Sequence, residues 1–149
     1  MITSRRQLTI VVAALTVSLI PFLPAVTHVV DEKSQWHHLQ HGGQFLFGML
    51  LAIAIASTPS LSRLRCHSES AGFLGVILGP AAVLIVMAPS IYTTLEKNDL
   101  LHMTYHLGVV ALGVATAWAI TAFDRFTAWF MFAVLASMGF IYAAGVGLV

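Results

Sequence analysis

Five long apolar runs, separated by short polar segments, cover almost the whole chain. Each run is about 20 residues or more, the length that an α-helix needs to cross the hydrocarbon core of a bilayer. The pattern predicts an all-α integral membrane bundle of five transmembrane helices. The predicted spans are approximately residues 8–30, 37–57, 71–92, 100–123 and 126–149. The connecting segments are too short for a further domain, so residues 1–149 are expected to form a single transmembrane helical domain.

The composition agrees with a membrane location. Hydrophobic residues make up 58% of the chain and charged residues 9%, and the mean hydropathy is +0.89, all outside the range of soluble domains. Arg5 and Arg6 before the first run are also typical of a secretory signal peptide. The run is long for a signal peptide and lacks a clean small-x-small cleavage site, so we expect a retained helix.

The arginines predict the orientation, because Lys and Arg in short loops stay on the cytoplasmic side. In the five-span topology every arginine falls on the same side: Arg5, Arg6, Arg63, Arg65 and Arg125. The N-terminus is therefore expected in the cytoplasm and the C-terminus outside. The predicted location is the cytoplasmic (inner) membrane, with contacts to lipid.

Histidines gather near the outer ends of the predicted spans. The six at that side are His28, His37, His38, His41, His102 and His106. Ionisable side chains at membrane depth are costly and usually functional. Neutral imidazole suits zinc, copper and iron. We therefore predict a metal centre facing the periplasmic or extracellular side.

The spacing of these histidines indicates which of them can share a helix face. Residues four apart in a helix lie on one face, about 6 Å apart along the axis, so His37 pairs with His41 and His102 with His106. His38, three residues before His41, offers a competing pair, and a rotation of about 100° would exchange it with His37. The second and fourth spans enter from the same side, so these five histidines are the predicted metal ligands.

Glycines follow the histidines closely. Gly42 and Gly43 come directly after His41, and Gly108 lies two residues after His106. Small residues allow close helix packing in membranes, and they also leave room for a macrocycle beside a ligating histidine. An alternative prediction is thus a haem b electron-transfer subunit with His41 and His106 as axial ligands.

Carboxylates near the fourth span allow a third reading, a zinc or di-iron enzyme using Asp99 or Glu96. Asp99, three residues before His102, could orient the imidazole as an acceptor, but the preferred reading is a helix N-cap, and one carboxylate can do both. Membrane di-iron hydroxylases are similar in their histidine spacings but carry more histidines and face the cytoplasm. Zinc is therefore less favoured, and the chain is not expected to be an enzyme by itself.

The segment HHLQHGGQFLFG resembles the membrane family involved in copper-dependent assembly of caa3-type cytochrome c oxidase, although that family usually has more helices. HMTYHLGVVALG is similar to the second histidine motif of related small membrane proteins of unknown function. The resemblance covers about a quarter of the chain and implies copper handling on the outer side. Met49 and Met103 could add soft ligands for Cu(I) or be packing residues.

The remaining features concern partners. The last run is rich in bulky aromatic residues such as Trp129 and Phe130, which suit contacts with lipid or with subunits of a larger redox complex. The dispersed arginines indicate no nucleic-acid partner. Cys66 and His67 form an ordinary loop. The preferred function is copper handling or assembly for a respiratory or other copper oxidase, and the alternatives are the haem b subunit and a non-catalytic structural subunit.

Overall fold

The computed structural model describes residues 34–56, 66–95 and 97–146, together with Thr9, Val12, Ala13, Thr16 and Ile20. The first predicted span, apart from those five residues, lies outside the described residues, as does His28. In residues 34–38 the description covers the backbone, so the side chains of His37 and His38 also lie outside it.

Within the described ranges all regular secondary structure is helical, which confirms the all-α prediction. The helices are α1 (Ser34–Ala56), α2 (Glu69–Val86), α3 (Pro89–Leu95), α4 (Asp99–Ile120) and α5 (Arg125–Val146). Three of these described helices, α1, α2 and α4, are long and apolar enough to cross a membrane, and α5 contributes the apolar segment Arg125–Met138. The five-span count and the orientation stay predictions.

The third predicted span, 71–92, is divided in the structure. α2 ends at Val86, and α3 begins at Pro89 after a turn at Met87 and Ala88. Proline has no N–H to continue the helical ladder, and its ring disfavours the helical conformation in the residue before it. Proline is well suited to the first position of a new helix, which is where Pro89 lies.

Helix starts coincide with polar caps. The Ser68 hydroxyl accepts a hydrogen bond from the Ala71 N–H at 3.3 Å, and the Asn98 side-chain oxygen accepts one from the Leu101 N–H at 3.1 Å. These bonds satisfy N–H groups that the first turn of a helix leaves without a backbone acceptor. The N-cap of α4 is therefore Asn98, and not Asp99.

α4 lies between α1 and α2, and α1 contacts α5 on its other side. A Cβ atom added to Gly48 would lie 2.1 Å from the Val110 carbonyl oxygen, and one added to Gly113 would lie 2.2 Å from the Phe45 carbonyl oxygen. The backbones of α1 and α4 therefore touch at these two glycines. His41 on α1 contacts Tyr105 on α4, and the later Gly48 contacts the later Val110, so the two helices run parallel.

α2 packs on α4 in the opposite direction. A Cβ atom on Gly72 would lie 2.9 Å from the Ala119 carbonyl oxygen, whereas one on Gly79 would lie 2.0 Å from the Thr116 hydroxyl oxygen. Small residues at such positions allow helices in membranes to approach closely. The outer surface of the bundle carries large apolar side chains, among them Leu78, Ile85, Phe126 and Phe130, each more than 60% exposed. This surface is compatible with contact to lipid.

Candidate metal centre

Three of the predicted ligands meet in the structure. His41, His102 and His106 each offer a nitrogen atom, and these nitrogens all lie within 4.8 Å of one another. His41 is fully buried, and the other two are half-buried. The ring centroids are 5.0 Å apart for His41 and His106 and 4.5 Å apart for His102 and His106. This cluster has the donor atoms and the compactness of a metal-ion site.

Helix packing explains why these residues meet. His41 lies seven residues before Gly48, and His106 lies seven residues before Gly113. Seven residues are about two helical turns, or roughly 10 Å. Because α1 and α4 are parallel and touch at the two glycines, both histidines lie at the same level. His102 joins them because it is one turn before His106 on the same face of α4.

Two buried polar side chains contact ring nitrogens of the cluster. The Gln44 amide nitrogen lies 2.5 Å from His106 Nδ1, and the Tyr105 hydroxyl lies 3.3 Å from His41 Nδ1. Gln44 has no exposed surface, and Tyr105 is 8% exposed. The direction of each hydrogen bond depends on which ring nitrogen carries the proton. Both Nδ1 atoms are therefore in contact with a polar side chain of the other helix.

Tyr92 closes a further side of the centre. The short helix α3 places its ring 5.8 Å from the His41 ring and 6.5 Å from the His102 ring, centroid to centroid. Sequence reasoning did not single out Tyr92, Gln44 or Tyr105. The signal available for Gln44 is its position one turn after His41, on the face that carries the histidine. Tyr92 has no such signal, since its place depends on the break between α2 and α3.

Several predicted contributors do not share the cluster. Met103 is 65% exposed, on the outer surface of α4, and Met49 is fully buried two turns away from His41. Asp99 is the exposed first residue of α4. The side chains of the predicted ligands His37 and His38 lie outside the described part of the chain, and so does Glu96.

The glycines near the histidines have different surroundings. Gly42 and Gly43 are buried, and Gly42 lines a small apolar cavity of about 30 Å³ together with Phe45 and Met87. A Cβ atom added to Gly108 would meet nothing within 4 Å. Packing among the described residues therefore does not require glycine at position 108.

Cys66 and His67 lie before α2, at the opposite end of the bundle. The Cys66 backbone N–H donates to the Thr121 hydroxyl at 3.0 Å, and the Cys66 thiol donates to the Ser68 carbonyl oxygen at 3.4 Å. His67 is exposed. These contacts tie the start of α2 to the end of α4, and they place His67 away from the three-histidine cluster.

The donor set defines what the centre can do. In the described part of the chain it consists of three imidazoles, which are neutral when they bind a metal. Three nitrogens bound to one ion at about 2.0 Å in trigonal or tetrahedral geometry lie about 3.3–3.5 Å apart, so a pair at the 4.8 Å limit would draw together by about 1.5 Å. Three protein ligands also leave a coordination position open for a further ligand.

Comparisons with known proteins add no family assignment: no protein-family model matches the chain, and neither a curated protein nor a solved structure matches it.

Proposed function

We propose that this protein binds one copper ion as Cu(I) on His41, His102 and His106 and handles copper at the outer face of the membrane for a respiratory or other copper oxidase. The observation that carries the proposal is the convergence of the three histidine nitrogens within 4.8 Å. The link to an oxidase rests on the resemblance of the segment HHLQHGGQFLFG to the copper-assembly family.

Charge favours Cu(I) over a divalent ion. The cluster supplies three neutral donors, and its described members include no carboxylate to offset the charge of the metal. The Born cost of burying an ion rises with the square of its charge, so a divalent ion costs about four times as much as a monovalent ion of equal size. Zinc would leave two uncompensated charges beside the fully buried His41.

The packing of α1 and α4 favours an ion over a haem. A bis-histidine haem needs its two axial imidazoles on opposite sides of a slot that admits the macrocycle. Here the His41 and His106 rings meet edge to face, with centroids 5.0 Å apart and planes at 83°. Gln44 on α1 reaches directly to His106 on α4, and the two backbones touch two turns away at Gly48.

An open coordination position suits a protein that passes its ion to another. An acceptor on a partner protein could contact the metal at that position before the three histidines release it. We propose accordingly that the chain is an accessory or assembly component of a larger membrane redox complex and not an enzyme by itself.

The test is metal loading of the purified protein. Protein in detergent is titrated anaerobically with Cu(I) against a chromophoric Cu(I) chelator, and bound copper and zinc are measured by elemental analysis. We expect one Cu(I) per chain in the wild type and a loss of at least tenfold in affinity for His102→Ala and for His106→Ala. His67→Ala is the matched control, because it removes an exposed histidine outside the cluster.

The same samples separate the alternatives. A reducible Soret band with stoichiometric iron would overturn the proposal in favour of the haem b reading. Zinc binding tighter than Cu(I) binding would reject copper. Equal Cu(I) affinity in the wild type and in a correctly folded His102→Ala, His106→Ala double variant would show that the cluster is not the site.

A further inference from the structure

Two polar side chains contact ring nitrogens of the candidate centre, one from each helix. Gln44 bonds to Nδ1 of His106, and Tyr105 bonds to Nδ1 of His41. The Nε2 atoms of both histidines are buried. The same division of the two ring nitrogens therefore occurs twice, once on each helix.

A neutral imidazole carries its proton on one nitrogen and its lone pair on the other. A metal takes the lone pair, so the remaining N–H must donate to an acceptor if it is buried. The Tyr105 hydroxyl oxygen is able to accept such a bond. Gln44 accepts it through Oε1 once its amide is turned by half a rotation, which exchanges the nearly identical oxygen and nitrogen positions.

We propose that Gln44 and Tyr105 are positioning residues that hold His106 and His41 as Nδ1–H tautomers, so that both ligate the metal through Nε2. This inference rests on the proposed copper site and names the side chains that orient its ligands. Gln44 orients a histidine of the other helix, and so does Tyr105, so each bond also links α1 to α4.

The burial of Gln44 and Tyr105 explains why removing either side chain should lower the metal affinity. Gln44 has no exposed surface, and Tyr105 is 8% exposed, so solvent cannot readily replace either acceptor. Removing an outer-shell partner of a ligating histidine typically costs 10-fold to 100-fold in metal affinity. The cost arises because the N–H would be left in an apolar site, or the ring would turn and present the wrong nitrogen.

The variants separate hydrogen bonding from packing. Tyr105→Phe removes the hydroxyl and keeps the ring, and Gln44→Met removes the acceptor at similar volume. Gln44→Glu restores an oxygen that can accept from Nδ1–H. The matched control is Thr116→Val, which deletes a fully buried hydroxyl on the same helix as Tyr105, about 15 Å along α4 from His106.

Cu(I) affinity is measured by chelator competition for each variant, with thermal unfolding as the check on folding. We expect a 10-fold to 100-fold loss for Tyr105→Phe and for Gln44→Met. Gln44→Glu should bind Cu(I) more tightly than Gln44→Met, and Thr116→Val should bind within about threefold of the wild type. Unchanged affinity in both Tyr105→Phe and Gln44→Met would overturn the proposal while leaving the copper site intact.

A second readout needs no metal. Long-range ¹⁵N–¹H correlation spectra of histidine-labelled, metal-free protein report which ring nitrogen carries the proton. We expect Nδ1–H for His41 and His106, with a shift toward Nε2–H at His41 in Tyr105→Phe and at His106 in Gln44→Met. A protein that binds no copper yet shows these tautomers would reject the proposed function and retain the positioning role. Nε2–H tautomers in the wild type would reject that role.

Discussion

Asp124 starts α5 by accepting several hydrogen bonds. Its Oδ1 atom accepts from the backbone N–H groups of Phe126 at 2.9 Å and Thr127 at 3.1 Å, and its other oxygen accepts from the Thr127 hydroxyl. The side chain of Thr127 is the main cause that lowers the pKa of Asp124 below its ordinary value of 3.8. The charged form is therefore favoured in the folded protein, where it caps the helix.

This arrangement predicts a pH effect of defined sign. Because the pKa is lowered on folding, the contribution of Asp124 to stability is complete above the ordinary value and is lost as the pH falls through the folded value. Thr127→Val should raise the pKa of Asp124 toward 3.8, as measured by carboxyl ¹³C NMR titration. Thr93→Val on α3, which bonds to the Ser90 carbonyl oxygen, is the control and should leave that pKa unchanged.

The three histidines of the cluster differ in how deeply they are buried. His41 is fully buried, and its ring packs edge to face against the rings of Tyr92 and Tyr105. His102 and His106 are both half-buried.

At the scale of elements, the contact of α1 with α4 sets the geometry of the centre. Gly48 and Gly113 bring the two backbones together two turns from the histidines. A wider separation at this crossing would move His41 away from His106, because the helices act as rigid rods over two turns. The glycines thus serve the metal centre although they do not touch it.

Gly48→Ala is therefore expected to weaken both the fold and the centre. The added Cβ would lie 2.1 Å from the Val110 carbonyl oxygen, and such overpacking costs about 1–3 kcal/mol in the free energy of unfolding. Cu(I) affinity should fall as well, since the two ligands separate. The measurements are thermal unfolding and chelator competition in detergent.

Gly108→Ala is the matched control on α4. Its Cβ would meet nothing within 4 Å, and alanine is favoured over glycine inside a helix by up to about 1 kcal/mol. The variant should unfold at the same temperature or higher and bind Cu(I) as the wild type does. Equal destabilisation by Gly48→Ala and Gly108→Ala would contradict the close crossing.

For the whole molecule, the centre joins three described elements. α1 provides His41, α4 provides His102 and His106, and α3 closes the side with Tyr92. A bound ion would link α1 to α4 directly. Since the unfolded chain lacks the assembled site, binding free energy adds to folding free energy.

Copper should therefore raise the unfolding temperature. At a free Cu(I) concentration 100 times the Kd, the expected stabilisation is about 2.7 kcal/mol. Circular dichroism melting under anaerobic conditions measures the effect, which His67→Ala should retain and His102→Ala should lose. An equal rise in His102→Ala would place the copper elsewhere in the protein.

Much of the helical architecture could be predicted from the chain. The apolar runs place α1, α4 and α5 within a few residues of their observed bounds, because a helix long enough to cross a bilayer has about 20 apolar residues and the polar segments mark its ends. The division at Pro89 was missed, since the apolar run continues through it. Hydropathy reports length and polarity but not the backbone hydrogen bond that a proline removes.

The candidate site, too, could be predicted only in part from the sequence. The spacing of His102 and His106 by itself determines that they share a face, because a helix repeats every 3.6 residues. Only the tertiary structure decided that His41 joins these two histidines. It also decided which polar and aromatic side chains contact the cluster, namely Gln44, Tyr105 and Tyr92. The physical reason is the distance along the chain between the residues that interact. Helix periodicity is local, whereas the register of α1 against α4 depends on where two glycines let distant backbones touch.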